Sequence, residues 1–326
     1  MSTAKTLVDF DAELASANLH GQWNADALLT RLTDGPRPIG TPFVWRWSEI
    51  RPKLDEACIH LPESFTARRN FTFVTPQLPR RGTTPTLIMG VQLVLPGEIA
   101  WAHRHSIGAL RFVVEGNPQL CTVVEGNAYT MEPNDLVLTP SWAWHDHHNE
   151  GDRPGIWIDV LDVPLIAGLN QTFYEPFGES MQPRRSIADG EPPPLRFAWR
   201  DVEPELRALG TENATGFDGT RFAYTAPATG ASVLPTMACY VQRLAPGFEG
   251  LAHRHTASTV YFVITGKGTV VVDDSPLEWD MHDSFAVPSW STHRLINGSS
   301  NDEALLFSVT DEPLMAALGL QREESR

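Results

Sequence analysis

In this chain of 326 residues a glycine stands six residues before a His-x-His pair at two places: Gly97 with His103 and His105, and Gly247 with His253 and His255. Each pair is followed by a third histidine in a shared frame, Pro140–His145–Asn149 and Pro288–His293–Asn297. In a strand alternate side chains share a face. His103 and His105 therefore project together, and a histidine from another strand completes a facial set of three imidazoles. Neutral imidazole suits divalent transition metals. Three of them leave the ion its full charge and open positions, which suit an anionic chelating substrate and dioxygen. A lone His-x-His is a weak signal. Its recurrence with the same glycine, proline and asparagine makes metal binding, in at least one copy, the reading that fits.

Further residues share that face. Continued alternation puts Ala109 and Arg111 on it, and His147 lies two residues past His145. A guanidinium offers fixed donors that match a carboxylate; the bland alternative is a solvated ion pair. His147 could hydrogen-bond a substrate oxygen or move a proton, or merely orient a neighbour. His148 has the opposite parity and is expected outside the site. Trp142, Trp144 and Trp290 are expected to pack as cavity walls.

The elements that must position these groups repeat. PGEIAWAHRHSIGALRFVVEG (96–116) matches PGFEGLAHRHTASTVYFVITG (246–266) at an offset of 150 residues, and DLVLTPSWAWHDHHN (135–149) matches DSFAVPSWSTHRLIN (283–297) at 148. Such self-similarity means two copies of one domain. Short strands such as LIMGVQLVL, LRFVVEG, DLVLTP and IWIDVLD, punctuated by Gly, Pro, Asn and Asp, predict an antiparallel β-barrel or sandwich. The expected divisions are an N-terminal helical and strand segment (1–85), a first barrel (86–162), a connecting segment (163–230), a second barrel (231–312) and a tail (313–326), whose last residues, QREESR, are expected to fray. Helices are expected around Asp9–Ala17, Ala25–Leu32, Trp45–Leu61 and Val202–Leu209, and a strand at Arg69–Thr75. The stretch Glu191–Pro194 cannot be a helix interior or central strand.

Composition narrows the class. The net charge of −15 argues against nucleic acid or an anionic membrane as partner. Three cysteines without metal-binding spacing fit reduced thiols. Neither a signal peptide nor a run of some 20 apolar residues is found, so a soluble, cytoplasmic protein is expected.

The paired motifs resemble the two signature motifs of the cupin superfamily, which implies a mainly β bicupin: two cupin (double-stranded β-helix) barrels with a partly helical N-terminal segment. The glutamate ligand usual in the first cupin motif is replaced by Ala109 and Thr259, so the site is three-histidine. The combination AHRHSIGALRFVVEG with SWAWHDHHN, preceded by WRWSEIRPKLDEA (45–57) and ARRNFTF (67–73), resembles the gentisate 1,2-dioxygenase family, which includes salicylate and 1-hydroxy-2-naphthoate dioxygenases. The resemblance spans about Trp45 to Asp311.

The resemblance implies an Fe(II) enzyme that uses O2 to cleave an aromatic hydroxy acid, a 2-hydroxybenzoate, between its carboxyl- and hydroxyl-bearing carbons. It implies a homo-oligomer, often a tetramer. The iron ligands map onto His103, His105 and His145. The substrate-binding residues map onto Arg111, His147 and Gln92, with Asp159 as a supporting carboxylate and either Arg68 or Arg69 as a further arginine. Gln92 has a twin at Gln242, which argues partly for a structural role. Asp159 could brace a ligand histidine or form an ion pair. Relatives commonly carry a large aromatic where this chain has Ile88. With Gly90 opening space and Gln92 on the same strand face, the pocket has little means to demand a 5-hydroxyl. Salicylates bearing another 5-substituent, 5-nitrosalicylate included, join gentisate as expected substrates, although ring electronics favour gentisate. The second copy has Tyr261 and Leu295 where the first has Arg111 and His147, so catalysis is expected in the first barrel alone. Competing readings are a non-catalytic bicupin that binds a metal or small ligand, and a zinc isomerase. Storage bicupins generally lose the histidines, and such isomerases usually keep a carboxylate ligand.

Overall fold

The computed structural model describes residues 5–25, 35–61, 69–185, 194–210 and 214–325. Most of the helix expected at Ala25–Leu32, together with Arg68 and residues 191–193, lies outside the described residues. Residues 1–37 form a compact unit of their own. Its helix, Leu7–Ser16, starts at a capping box in which Thr6 and Asp9 satisfy each other's backbone donors.

The second unit, residues 38–326, holds both barrels. Each is a pair of facing antiparallel sheets. In the first barrel, a sheet ordered Arg196–Phe197, Leu136–Thr139, Ala109–Glu115, Gly155–Leu161, Ile88–Val94, Arg69–Thr72 faces a sheet ordered Tyr174–Pro176, Ile99–His105, His145–Asn149, Asn117–Val124, Asn127–Met131. The second barrel repeats this plan. Its large sheet centres on Thr259–Thr265, Ala304–Thr310 and Ala238–Leu244, and its small sheet on His253–His255 and His293–Ile296. The four strands expected in the first copy all form.

Strand alternation splits each large sheet into two roles. Leu110, Phe112 and Val114 point away from the first barrel's interior and join Met89, Val91 and Ile158 in one core shared with Val260, Phe262 and Phe307 of the second barrel. Phe112 stacks on Phe307 with ring centroids 4.2 Å apart. Each such fully buried ring contributes roughly 1.5–3 kcal/mol. The residues between them, Ala109, Arg111 and Val113, face inward, so both faces of these strands are buried.

The repeat extends beyond the motifs. Trp47–His60 and Trp199–Ala208 are equivalent helices, each preceded by a two-residue strand. Those strands are exchanged: Val44–Trp45 pairs with Ser284–Val287 of the second barrel, and Arg196–Phe197 with Leu136–Thr139 of the first. Asp283 accepts from the Trp47 amide and Arg46, and Asp135 accepts from the Trp199 amide and Arg196. A second reciprocal link joins Asp311 to Thr86 and the Ser258 amide, and Asp162 to Thr236 and the Gly108 amide. The connecting segment therefore contributes strands to both barrels.

The tail differs from expectation. Glu312–Ala317 is a helix, and Glu323–Ser325 is a strand paired with His253–His255, as Tyr174–Pro176 pairs with His103–His105. Arg254 binds Glu324 as Arg104 binds Glu175, which ties the segment down.

Candidate active site

The strand Ile99–His105 begins just after a turn that needs glycine: Gly97 has φ +81° and its amide donates to the Asn149 carbonyl. Asn149 in turn donates from Nδ2 to the Val94 and Arg153 carbonyls. The motif's glycine and asparagine thus fix the loops that flank the histidine-bearing strands. His103 lies opposite His145 in the antiparallel pairing. The ligand atoms of His103, His105 and His145 lie within 4.8 Å of one another.

Each imidazole is oriented through Nδ1 by a backbone carbonyl: His103 by Trp101 at 2.6 Å, His105 by Ile107 at 2.9 Å, His145 by Ala143 at 2.9 Å. That pattern selects the tautomer whose Nε2 lone pair is a ligand. His145 Nε2 is buried and has no hydrogen-bond partner, a cost that a metal ion removes. Burial, then the neighbouring His103, Arg111 and His105, hold the His145 imidazolium pKa well below its usual value, so the ring is neutral and ready to coordinate. A three-imidazole site for a divalent transition metal fits these residues. Tyr174, from the strand beside the pair, stacks on His103 at 5.3 Å; nothing in the sequence motif pointed to it.

Arg111 is 5% exposed on the inward face of Ala109–Glu115. Its Nε lies 3.5 Å from Asp159 Oδ1, and NH1 donates to Thr139 Oγ1. Asp159 also accepts from Asn70 Nδ2 at 3.1 Å and Trp157 Nε1 at 3.0 Å. Asp159 therefore braces the arginine. Gln92 sits opposite both Asn70 and Trp157, and its Nε2 is buried without a partner, which favours a ligand-facing role over a purely structural one. His147 is buried on the face of His145, with Nδ1 2.8 Å from Thr122 Oγ1.

Several expectations are corrected. A Cβ at Gly90 would lie 2.5 Å from the Phe71 carbonyl oxygen, so this glycine admits the neighbouring strand and does not open space for a ligand. Trp142 and Trp144 do not wall the cavity; they sandwich the Arg104 guanidinium, each 4.4 Å away, on the outer face. Trp290 likewise packs on Arg254. Arg69 is on the outward parity, opposite Leu93, and donates to Glu98 and the Leu61 carbonyl. His148 faces out as expected, bonded to Asp146 and Arg184. The sequence reading missed Asn70, Trp157, Thr139 and Thr122. The shared parity of Trp157 with Asp159 was the available signal for one of them.

The cupin domain family model matches residues 90–161 and 240–310. A 1-hydroxy-2-naphthoate 1,2-dioxygenase of Nocardioides sp. (strain KP7) is 42% identical, covering 98% of this chain and 88% of that protein. A 5-aminosalicylate 1,2-dioxygenase of Comamonas sp. is 37% identical, covering 97% of this chain and 90% of that one. Among solved structures, a salicylate 1,2-dioxygenase from Pseudaminobacter salicylatoxidans superposes with a TM-score of 0.85 at 28% identity, covering 100% of this chain and 99% of that one. Among the described residues no helix is long and apolar enough to cross a membrane. Two histidine-bearing cupin barrels and these full-length relatives together place the chain in the gentisate/salicylate-type family of ring-cleaving 1,2-dioxygenases.

Proposed function

We propose that the first barrel is the catalytic one, that His103, His105 and His145 hold Fe(II), and that the substrate is a 2-hydroxybenzoate opened by O2 between its carboxyl- and hydroxyl-bearing carbons. Bound Fe(II) would supply the electron transfer between ring and dioxygen that zinc cannot. The chain's own residues bind and orient. Arg111, aimed by Asp159 and Thr139, presents its guanidinium to the carboxylate. Gln92 Nε2 offers a donor, and His147 Nε2 is suited to hold the phenolic proton. His103 and His145 are each 1% exposed, so the ion would sit inside the barrel and away from bulk solvent.

The observation that carries this reading is the buried Arg111–Asp159 pair beside the triad, absent from the second barrel, where Tyr261 faces Ser308. The non-catalytic alternative is disfavoured by the relatives, which are ring-cleaving 1,2-dioxygenases over nearly the whole chain. Ile88 contributes an apolar wall without a donor, so the pocket is proposed to accept gentisate, salicylate and 5-substituted salicylates such as 5-nitrosalicylate. A homotetramer is proposed from the family resemblance, and a cytoplasmic location from the three cysteines, whose number and spacing fit reduced thiols.

The test is an oxygen-uptake screen of iron-loaded protein with gentisate, salicylate, 5-nitrosalicylate and 1-hydroxy-2-naphthoate. Ring opening of at least one, lost on chelation and restored by Fe(II), is the expected result. Consumption of none, by folded protein with metal bound, would overturn the reading.

A further inference from the structure

The second barrel keeps a complete triad that ring cleavage in the first does not use. The ligand atoms of His253, His255 and His293 lie within 4.8 Å of one another. Each ring is oriented through Nδ1 by a carbonyl, those of Leu251 at 3.4 Å, Ala257 at 2.7 Å and Ser291 at 3.1 Å. His293 is 1% exposed, and its Nε2 has no hydrogen-bond partner. Three convergent, tautomer-selected imidazoles, one with a buried orphan nitrogen, cost free energy to assemble unless an ion fills the site. A barrel serving only as scaffold would have no reason to hold them so.

The surroundings are unlike those of the first site. Tyr261 and Leu295 stand where the first has Arg111 and His147, and Tyr240 stands at the position of Gly90. Arg221 lies 3.9 Å over the Tyr240 ring and pairs with Asp218 at 3.0 Å. The remaining cavity measures about 70 Å³, and Asp218, Glu312 and Glu323 line it against the one guanidinium. Ordinary ligand pockets measure several hundred Å³. An acidic chamber of this size attracts a cation and repels an aromatic carboxylate.

We propose that His253, His255 and His293 form a second metal site, filled by a divalent transition-metal cation and closed to 2-hydroxybenzoates. The cation anchors the strand His253–His255 and, through its pairing, the C-terminal strand Glu323–Ser325. This assignment does not depend on which metal or substrate the first barrel takes.

Metal-free full-length protein titrated with Co(II), followed by removal of unbound metal and metal analysis, tests it. Wild type is expected to retain two equivalents per chain, His293→Ala one, His145→Ala one, and the double variant none. Added salicylate should leave the visible spectrum of the Co(II)-loaded His145→Ala protein unchanged. Saturation of wild type at one equivalent that the His293→Ala protein still retains overturns the proposal. So does a His293→Ala or His255→Gln protein that still retains two, or a salicylate-induced spectral change in His145→Ala.

Discussion

Replacing Arg111 by leucine tests the assignment of the substrate carboxylate, and the structure separates two effects that the substitution combines. Arg111 and Asp159 are 5% and 4% exposed, 3.5 Å apart. Removing one partner of a buried ion pair costs about 3–5 kcal/mol, chiefly because the other charge is stranded. Asp159 keeps two donors, Asn70 and Trp157, which puts the expected loss near the lower end, about 3 kcal/mol. The substrate separately loses a charge-assisted hydrogen bond of about 1.5–3 kcal/mol, or about 10- to 200-fold in kcat/KM. Adding Asp159→Asn removes the stranded charge, so the double variant should regain most of the stability and none of the kcat/KM. The assays are thermal melting, metal content and steady-state oxygen uptake on one set of proteins. Wild-type kcat/KM in a metal-loaded Arg111→Leu protein would refute the role of Arg111. Recovery of activity in step with stability in the double variant would show that the single variant was merely damaged.

His103→Ala should abolish turnover, and wild type reconstituted with zinc alone should bind metal yet consume no oxygen; full activity with zinc would exclude a redox mechanism. His105→Ala and His255→Ala should differ, the first losing turnover and the second keeping it; equal, complete loss in a folded His255→Ala protein would contradict catalysis confined to the first barrel. Burial pushes the Asp311 carboxyl up to about 6 from a usual 3.8. Its contribution to stability is therefore fully present below pH 3.8 and is lost as pH rises through about 6. That loss amounts to about 3 kcal/mol. Asp311→Asn should flatten this part of the melting profile between pH 4 and 7, and an unchanged slope would place the titration elsewhere. Among substrates, at least one salicylate lacking the 5-hydroxyl should be cleaved; turnover of gentisate alone would show that Ile88 does not set the pocket's tolerance.

The sequence by itself determined the ligand triads, because His-x-His on a strand is a local rule: alternate residues share a face whatever the strand later pairs with. The same rule put Arg111 and His147 inward, put His148 outward and, through the repeat, revealed two barrels. The folded chain decided what distant partners do to those groups. Strand parity gives a face and no neighbour, so it could not say that Asp159 braces Arg111, that Asn70 and Trp157 hold Asp159, or that Thr122 engages His147. Nor could it show that Gly90 makes way for the Phe71 carbonyl. The exchanged strands Val44–Trp45 and Arg196–Phe197 are two residues long, too short for any periodicity, and the C-terminal strand reads as charged tail. These elements exist because a sheet edge elsewhere in the molecule leaves backbone donors and acceptors to be paired, a requirement that only the assembled barrels impose.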